Sequence, residues 1–385
     1  MVKKDINSEP FPEATMLKLD IFRRCFREWF PVFVHHPSVE NIYIYDMFAG
    51  SGTDSDGNPG SPLILLEEAV GNERQHCKAL KENKKYVAFG FNEKDKVKKE
   101  TLDKVKDGFI TKCKEGCPIK ECVYSNSIWC KNASFDDIMN SPNFKKVLAN
   151  KKYAKFVLLD QYGFKQITEG VFLKLVTSPV TDFIFFISSS FVSRFRNEAS
   201  VKTYIDTNKI VFEEKKPKEC HRIIADYFRN LIPKQMEYYI HHFTIQKGTN
   251  YYGLIFGTSH TLGMEKFVKV CWLEDKDSGE SNCNINDDFE EGSLFYDLGN
   301  TTKKIKVKGE LEALILKGEI QSNVEGLKWV LSHGCEPKLF IEVVKLLIAQ
   351  KRIMIQGKFN KQCSNIHKVT EYKIDVYEND KNRMD

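Results

Sequence analysis

Residues 42–53 read Ile42-Tyr43-Ile44-Tyr45-Asp46-Met47-Phe48-Ala49-Gly50-Ser51-Gly52-Thr53. An apolar, aromatic run ends in an acid, and a turn of small residues follows. The run suits a buried strand, and the turn sits at its carboxyl end. Gly50 and Gly52 carry no Cβ, so backbone there can approach a ligand closely and adopt positive φ. In an open α/β sheet, ligands bind at the carboxyl ends of the strands. Asp46, at that end, suits a ligand that is cationic or carries hydroxyls.

The chain has 385 residues, enough for one large domain and a small one. At 42% hydrophobic and 29% charged it reads as globular, and 28 phenylalanines point to a substantial core. No run approaches the roughly 20 apolar residues of a membrane span, and the start, Met-Val-Lys-Lys-Asp, lacks the apolar core of a signal peptide. Eleven cysteines without such a signal indicate reduced thiols and a cytoplasmic setting. A net charge of +5 permits an anionic partner without requiring one.

Working outward from residues 42–53, the pattern predicts a helix over 14–34, with Leu17, Leu19, Phe22, Cys25, Phe26 and Phe30 on its apolar side. Such a helix would lie beside the first strand and cover the site. Thr15 and Lys18 fall at its start, where solvated residues are common. A loop over 54–62 ends in Gly60-Ser61-Pro62, where Ser61 can cap a helix and Pro62 suits its first turn. Residues 86–91 read as the second strand. An acid at the end of strand two binds ribose hydroxyls in Rossmann-like folds. Glu93 fits that place, with Asp95 as the alternative. The lysine-rich stretch 94–114 reads as the wet face of a helix. A third strand is expected over 123–129, followed by Ser134 and Asp136 before a helix. Residues 156–159 form a fourth strand ending in Asp160-Gln161-Tyr162-Gly163-Phe164. A fifth is expected over 183–187, then an irregular, partly basic stretch over 191–220. Residues 238–246 and 251–258 flank Lys247-Gly248-Thr249-Asn250, the pattern of a hairpin.

Cys113, Cys117, Cys122 and Cys130 are spaced C-x3-C-x4-C-x7-C, whereas zinc sites more often show paired C-x2-C. No metal is therefore expected, and these four are the only metal-ligand candidates. The expected domains are 1–275, an acidic linker over 276–305, and 306–385. The last part reads as helix, turn, helix and hairpin, which resembles a winged helix, a module that binds nucleic acid or protein. Lys338, Lys345, Lys351, Arg352 and Lys358 give it a basic tint.

Residues 46–53 resemble motif I of class I S-adenosylmethionine-dependent methyltransferases, in the Asp-Pro-Phe-Ala-Gly-Ser-Gly-Thr form of DNA amino-methyltransferases. Asp160-Gln161-Tyr162-Gly163 sits where motif IV of those enzymes lies, Asp-Pro-Pro-Tyr or a relative. It is similar also to the Asp-Pro-Phe-Gly of tRNA N2-guanine dimethyltransferases. The full order resembles the three-Cys-motif partner (TcmP) family. The elements that carry this are Thr15 with Lys18, Tyr45-Asp46 to Gly52, Gly60-Ser61-Pro62, Phe91-Asn92-Glu93-Lys94-Asp95, Asp160 to Gly163, and residues 251–256. Gln161 replaces the family's usual proline, and Ser134 stands where methyltransferases commonly place an Asp.

The resemblance implies a Rossmann-like class I methyltransferase sheet closed by an antiparallel hairpin. It implies S-adenosyl-L-methionine as cofactor, contacted by Asp46, Phe48, Ala49, Gly50 and Gly52, with its ribose on Glu93 and its adenine near Ser134 or Asp136. Asp160 would orient a target amine and Tyr162 would stack on the base. The activity so implied is N-methylation of an amine on nucleic acid, in a phage or bacterial mobile-element or defence setting. The other reading is a non-catalytic methyltransferase-like sensor, partnered by a protein of the three-Cys-motif type.

Overall fold

The computed structural model describes residues 9–115, 117, 122–161, 163–210, 212, 216–288 and 302–377. The chain opens with helix α1 (Glu13–His35), strand β1 (Asn41–Asp46), helices α2 (Ser61–Val70) and α3 (Gln75–Glu82), and strand β2 (Tyr86–Asn92). Helix α4 (Lys96–Glu115), strand β3 (Ile128–Lys131), helices α5 (Phe135–Asn140) and α6 (Pro142–Ala149) and strand β4 (Tyr153–Leu159) come next. Helix α7 (Glu169–Val176), strand β5 (Thr181–Ile187), helices α8 (Ser189–Arg194), α9 (Ala199–Lys202) and α10 (Cys220–Asn230), and strands β6 (Tyr239–Lys247) and β7 (Asn250–Thr258) follow. The remainder is α11 (Thr261–Glu274), α12 (Thr302–Leu316), α13 (Asn323–Ser332), α14 (Lys338–Ala349), β8 (Ile353–Gln356) and β9 (Lys373–Val376).

Seven strands form one sheet in the order β3-β2-β1-β4-β5-β7-β6. β1 to β5 are parallel, and β7 runs antiparallel to β5. This is the Rossmann-like class I methyltransferase sheet. Its central strands are covered on both faces, which explains their continuous apolar runs: Ile42, Ile44, Val157, Leu158, Phe183 and Ile184 are fully buried. Register then aligns the strand ends. Asp46 lies beside Phe91 of β2 and beside Leu158 of β4. Glu93 and Asp160 each follow two residues later, so three acids lie at the carboxyl ends of β1 and its two neighbours, beside the point between β1 and β4 where the strand order reverses.

Helix α1 is fastened along its length. Its buried face carries Leu19, Ile21, Phe22, Phe26, Trp29 and Phe30, and the Phe26 and Trp29 rings lie 5.5 and 5.1 Å from Phe156 of β4. Trp29 Nε1 donates to the buried Asp182 carboxylate at 2.7 Å. The Lys85 ammonium donates to the carbonyls of Phe33, His36 and Val39, closing the helix's carboxyl end.

Two expectations shift. The third strand begins at Ile128, not at residue 123. Ser127 N–H closes a turn onto the Tyr124 carbonyl, and the buried Tyr124 hydroxyl donates to the Ala69 carbonyl at 2.5 Å. The stretch 191–220 also contains the short helix α9 and the end of α8.

The described residues form two compact units. One comprises those up to Tyr238 with Ile245–Ser259; the other comprises Tyr239–Thr244 with those from His260 onward. The second has its own core, with Met264, Trp272, Leu311, Leu327, Val330, Phe340, Val344 and Leu347 buried together. In it, four helices, α11 to α14, precede the antiparallel pair β8 and β9, and Ser322 adds a bridge to Lys373. Ser322 and Glu325 form a capping box that starts α13. Arg352 pairs with Glu312 and Lys338 with Glu336, both at 2.5 Å, so two of the five expected basic residues are neutralised locally. Of the expected linker over 276–305, residues 289–301 lie outside the described residues.

Burial pushes the Asp182 carboxyl up to about 6, against the bonds from Thr258 and Trp29. A folded value above the unfolded one means that this group's contribution is full below about pH 4 and is lost as pH rises through about 6. Trp29→Phe removes a donor to the ionised form. It is expected to destabilise the protein by about 1–3 kcal/mol at pH 8 and by less at pH 5, read by thermal unfolding. An equal loss at both pH values would mean that lost packing, not the hydrogen bond, is responsible.

Candidate functional site

At the end of β1, the Asp46 carboxylate is fully buried. One oxygen accepts the Phe48 N–H at 3.1 Å and the other accepts the Ser61 hydroxyl at 2.6 Å. Burial raises its pKa to about 7; the bonds from Ser61 and Phe48 oppose the rise, and nearby Asp160 and Lys18 push in opposite directions. Asp46 therefore ties the strand end to the first turn of α2. Between them the backbone is bare. Gly52 has φ +86°, and a Cβ there would stand 3.0 Å from the Leu102 side chain. A Cβ on Gly60 would stand 3.1 Å from the Gly52 carbonyl, which already accepts the Gly60 N–H at 2.8 Å. Ala49 N–H donates to the Asn92 carbonyl, and Phe48 stacks on Phe135 with centroids 5.2 Å apart.

Glu93 belongs to the same place. One of its oxygens accepts the Gly50 N–H at 3.0 Å, and the other accepts the Asp95 N–H at 2.7 Å. Asn92, not singled out from sequence, is buried and links the ends of β1 and β3. Its amide donates to the carbonyls of Met47 and Ala133 and accepts the Ala133 N–H. Ser134 caps α5: its hydroxyl donates to Asp137 at 2.6 Å and accepts the Asp137 N–H at 3.1 Å. The hydroxyl proton is thus committed within α5, while its oxygen retains acceptor capacity. Asp136 is exposed on the first turn of α5.

Asp160, at the end of β4, is met by Lys18 from α1. The ammonium lies 2.7 Å from one carboxylate oxygen and 2.5 Å from the other, and the two side chains are only 12% and 17% exposed. The same ammonium lies over the Phe186 ring, 4.8 Å from its centroid, and Phe186 stacks on Tyr252 at 5.7 Å. An acid and an aromatic face thus converge on one nitrogen. Tyr162 lies outside the described residues. Phe186 went unnoticed in the sequence because it is one of several phenylalanines in a strand; only the sheet's facing singles it out. Gln161, where the proline was expected, is buried. Its amide donates to the Phe186 carbonyl at 3.2 Å and accepts the Gln166 N–H at 2.8 Å, so a two-ended tether holds the turn that a proline ring would stiffen.

Among the described residues, no three His, Cys, Asp or Glu side chains converge to hold a metal ion. The sulfurs of Cys113 and Cys122 lie 3.5 Å apart, while Cys130 interacts with Asp103 instead. No described helix is long and apolar enough to cross a membrane.

No protein-family model and no curated protein matches the chain. Several solved structures do. The Escherichia coli protein yhhF, described as a methyltransferase, is 13% identical, with 67% of this chain and 92% of that chain covered and a TM-score of 0.30. Trm1 from Pyrococcus horikoshii, solved with S-adenosyl-L-methionine, is 9% identical, with 70% and 61% covered and a TM-score of 0.37. The human methyltransferase 10 domain containing protein is 9% identical, with 62% and 82% covered and a TM-score of 0.28. The chain thus spans less than two thirds of Trm1. Likeness at this level concerns fold alone, and strand order and register carry the fold reading.

Asp46→Asn keeps an acceptor for the Phe48 N–H and removes a carboxyl that burial penalises. Its contribution to stability is full below about pH 4 and lost as pH rises through about 7. The variant is expected to melt a few degrees above the parent at pH 8, but not at pH 4, by calorimetry. A lower melting point at pH 8 would show that the bond to Ser61 outweighs desolvation. Gln161→Ala strands two backbone groups and is expected to lose about 1–3 kcal/mol in urea unfolding; an unchanged midpoint would refute the tether.

Proposed function

We propose that the protein is an S-adenosylmethionine-dependent methyltransferase that methylates an amine on nucleic acid. One observation carries this reading: the Asp160 carboxylate, at the carboxyl end of β4, receives a primary ammonium beside an aromatic face. Such a pair is suited to accept N–H bonds from an amine and to stack its ring.

The bend between β1 and α2 fits the cofactor. It is free of side chains at Gly50 and Gly52, with a buried acid beneath and Glu93 at one wall. The bound cofactor would supply a methyl group on a sulfonium sulfur, which is a good leaving group. Asp46, Phe48, Ala49, Gly50 and Gly52 would surround the methionine end. Glu93 would accept from the ribose hydroxyls. The adenine would lie near Ser134 or near Asp136, whose carboxylate is exposed.

Asp160 would hold the target amine with its lone pair turned toward the bend, while Phe186 would face the base and Tyr162, as the resemblance implies, would stack on it. Positioning of this kind supplies much of the acceleration, and no general base is required. Lys18 must yield at least one carboxylate oxygen as the amine enters. The helices α12 to α14 with their hairpin are read as winged-helix-like and would add a nucleic-acid or protein contact.

Lys18 also favours a second reading, because its ammonium occupies the acceptor position. The protein would then be a non-catalytic methyltransferase-like sensor, with a protein partner such as the three-Cys-motif type. The phage or bacterial mobile-element or defence setting rests on the resemblance in either case.

Calorimetric titration with S-adenosylmethionine is expected to show binding that weakens at least about tenfold in Asp46→Ala and Glu93→Ala. Tritium from methyl-labelled cofactor is expected to enter DNA or RNA with the parent protein. Asp160→Ala should lower that rate by on the order of 10²-fold with cofactor affinity retained. Cofactor binding without any transferred label would support the sensor, and absence of cofactor binding would overturn the methyltransferase reading.

A further inference from the structure

Beyond Asp160, the chain builds an aromatic step that the reaction itself does not use. Phe191 and Phe195 are each 42% exposed, among the few large apolar side chains left open to solvent. Phe191 and Phe195 are four residues apart, on α8 and just after its last residue, with ring centroids 4.5 Å apart. Phe164, which is buried and follows the Asp160 turn, stacks under Phe191 at 5.3 Å with planes 25° apart. Tyr204 meets the edge of Phe164, and the Lys165 ammonium lies over Tyr204 at 5.7 Å.

The step is rigid and tied to the site. Val192, on the inner side of α8, is fully buried. The Ser189 hydroxyl is bonded to the buried His221 at 2.7 Å, whose other nitrogen contacts the Leu254 carbonyl. Ser188 N–H donates to the Gly163 carbonyl at 3.0 Å, joining the step to the turn that carries Asp160. The fold thus anchors α8 firmly while leaving two rings uncovered, an arrangement that marks contact with another molecule.

Charge selects the kind of molecule. Residues 189–210 contain Arg194, Arg196 and Lys202 against Glu198, while Lys209 is paired with Asp206 and Glu169. Lys165 and Lys202 are exposed. Exposed aromatic rings in a stretch with more cations than acids suit nucleobases on a phosphate backbone. Duplex hides its base faces, and an amine can reach Asp160, at 17% exposure, only when extruded or unpaired. We propose that Phe191 and Phe195 form a stacking platform for single-stranded nucleic acid, holding the nucleotide that flanks the target amine. This rests on the reading of Asp160 as the amine site, but its test does not.

The test is fluorescence anisotropy of labelled 12-nucleotide oligo(dT) and oligo(U), single-stranded and as duplexes with their complements. The full chain is compared with Phe191→Ala, Phe195→Ala and Phe191→Trp. The parent protein is expected to prefer single strands, each alanine variant to lose about tenfold in affinity, and the tryptophan variant to recover it. S-adenosylmethionine titration of the same variants should be unchanged, so failure of the cofactor pocket and failure of the platform are read separately. Alanine variants that bind single strands like the parent overturn the proposal. So does a parent that prefers duplex, binds no oligonucleotide, or instead self-associates through these rings.

Discussion

Parallel register is the constraint on which the rest depends. β1 is paired on both sides, so the lengths of β1, β2 and β4 are coupled, and their ends must finish at one level. A slip of one residue in either neighbour would turn Glu93 or Asp160 to the opposite face and bury it among the covering helices. Continuous apolar runs in all three strands, buried on both faces, make any such slip unfavourable. The gathering of three acids is therefore a by-product of core packing, and the site takes its precision from the hydrophobic sheet.

Those acids are held in different ways, and the difference suits different tasks. Asp46 is wholly buried, bonded to the chain's own N–H and hydroxyl groups, and shifted up toward neutrality. Its first effect is to shape the bend. Glu93 braces the same bend from the other side through the Gly50 N–H while staying partly open. Asp160 meets a side-chain cation from a separate helix. A side chain on a helix can rearrange with far less disruption than a backbone bond, so Asp160 is the acid best able to exchange partners.

Helix α1 links stability to that exchange. Near its middle it is locked by Trp29 on Asp182, and at its carboxyl end by Lys85 on three carbonyls. Only its amino end touches the candidate site, through Lys18. Firm anchoring behind and a single ion pair in front let that end respond to a ligand without unseating the helix. In the second unit the hairpin closes through Ser322, Asn323 and Tyr372.

Local pattern was enough for the elements that matter most. The aromatic run into Asp46, the small-residue bend, Glu93 after strand two and Asp160 after strand four were legible because strand ends and tight turns are written in adjacent residues. The third strand was placed too early because a buried tyrosine in a turn looks like strand in sequence. The capping bond of Ser134 to Asp137 was not read from sequence, because a cap and a ligand contact share the same polar signature. The sequence by itself thus determined a Rossmann-like sheet and which strand ends bear acids. Only the tertiary structure decided that Lys18 sits on Asp160, that Phe186 turns its ring to the same nitrogen, and that Gln161 does the work of a proline. The first two join Lys18 to residues far along the chain, and such contacts are set by sheet register and helix packing, which no local stretch of sequence encodes.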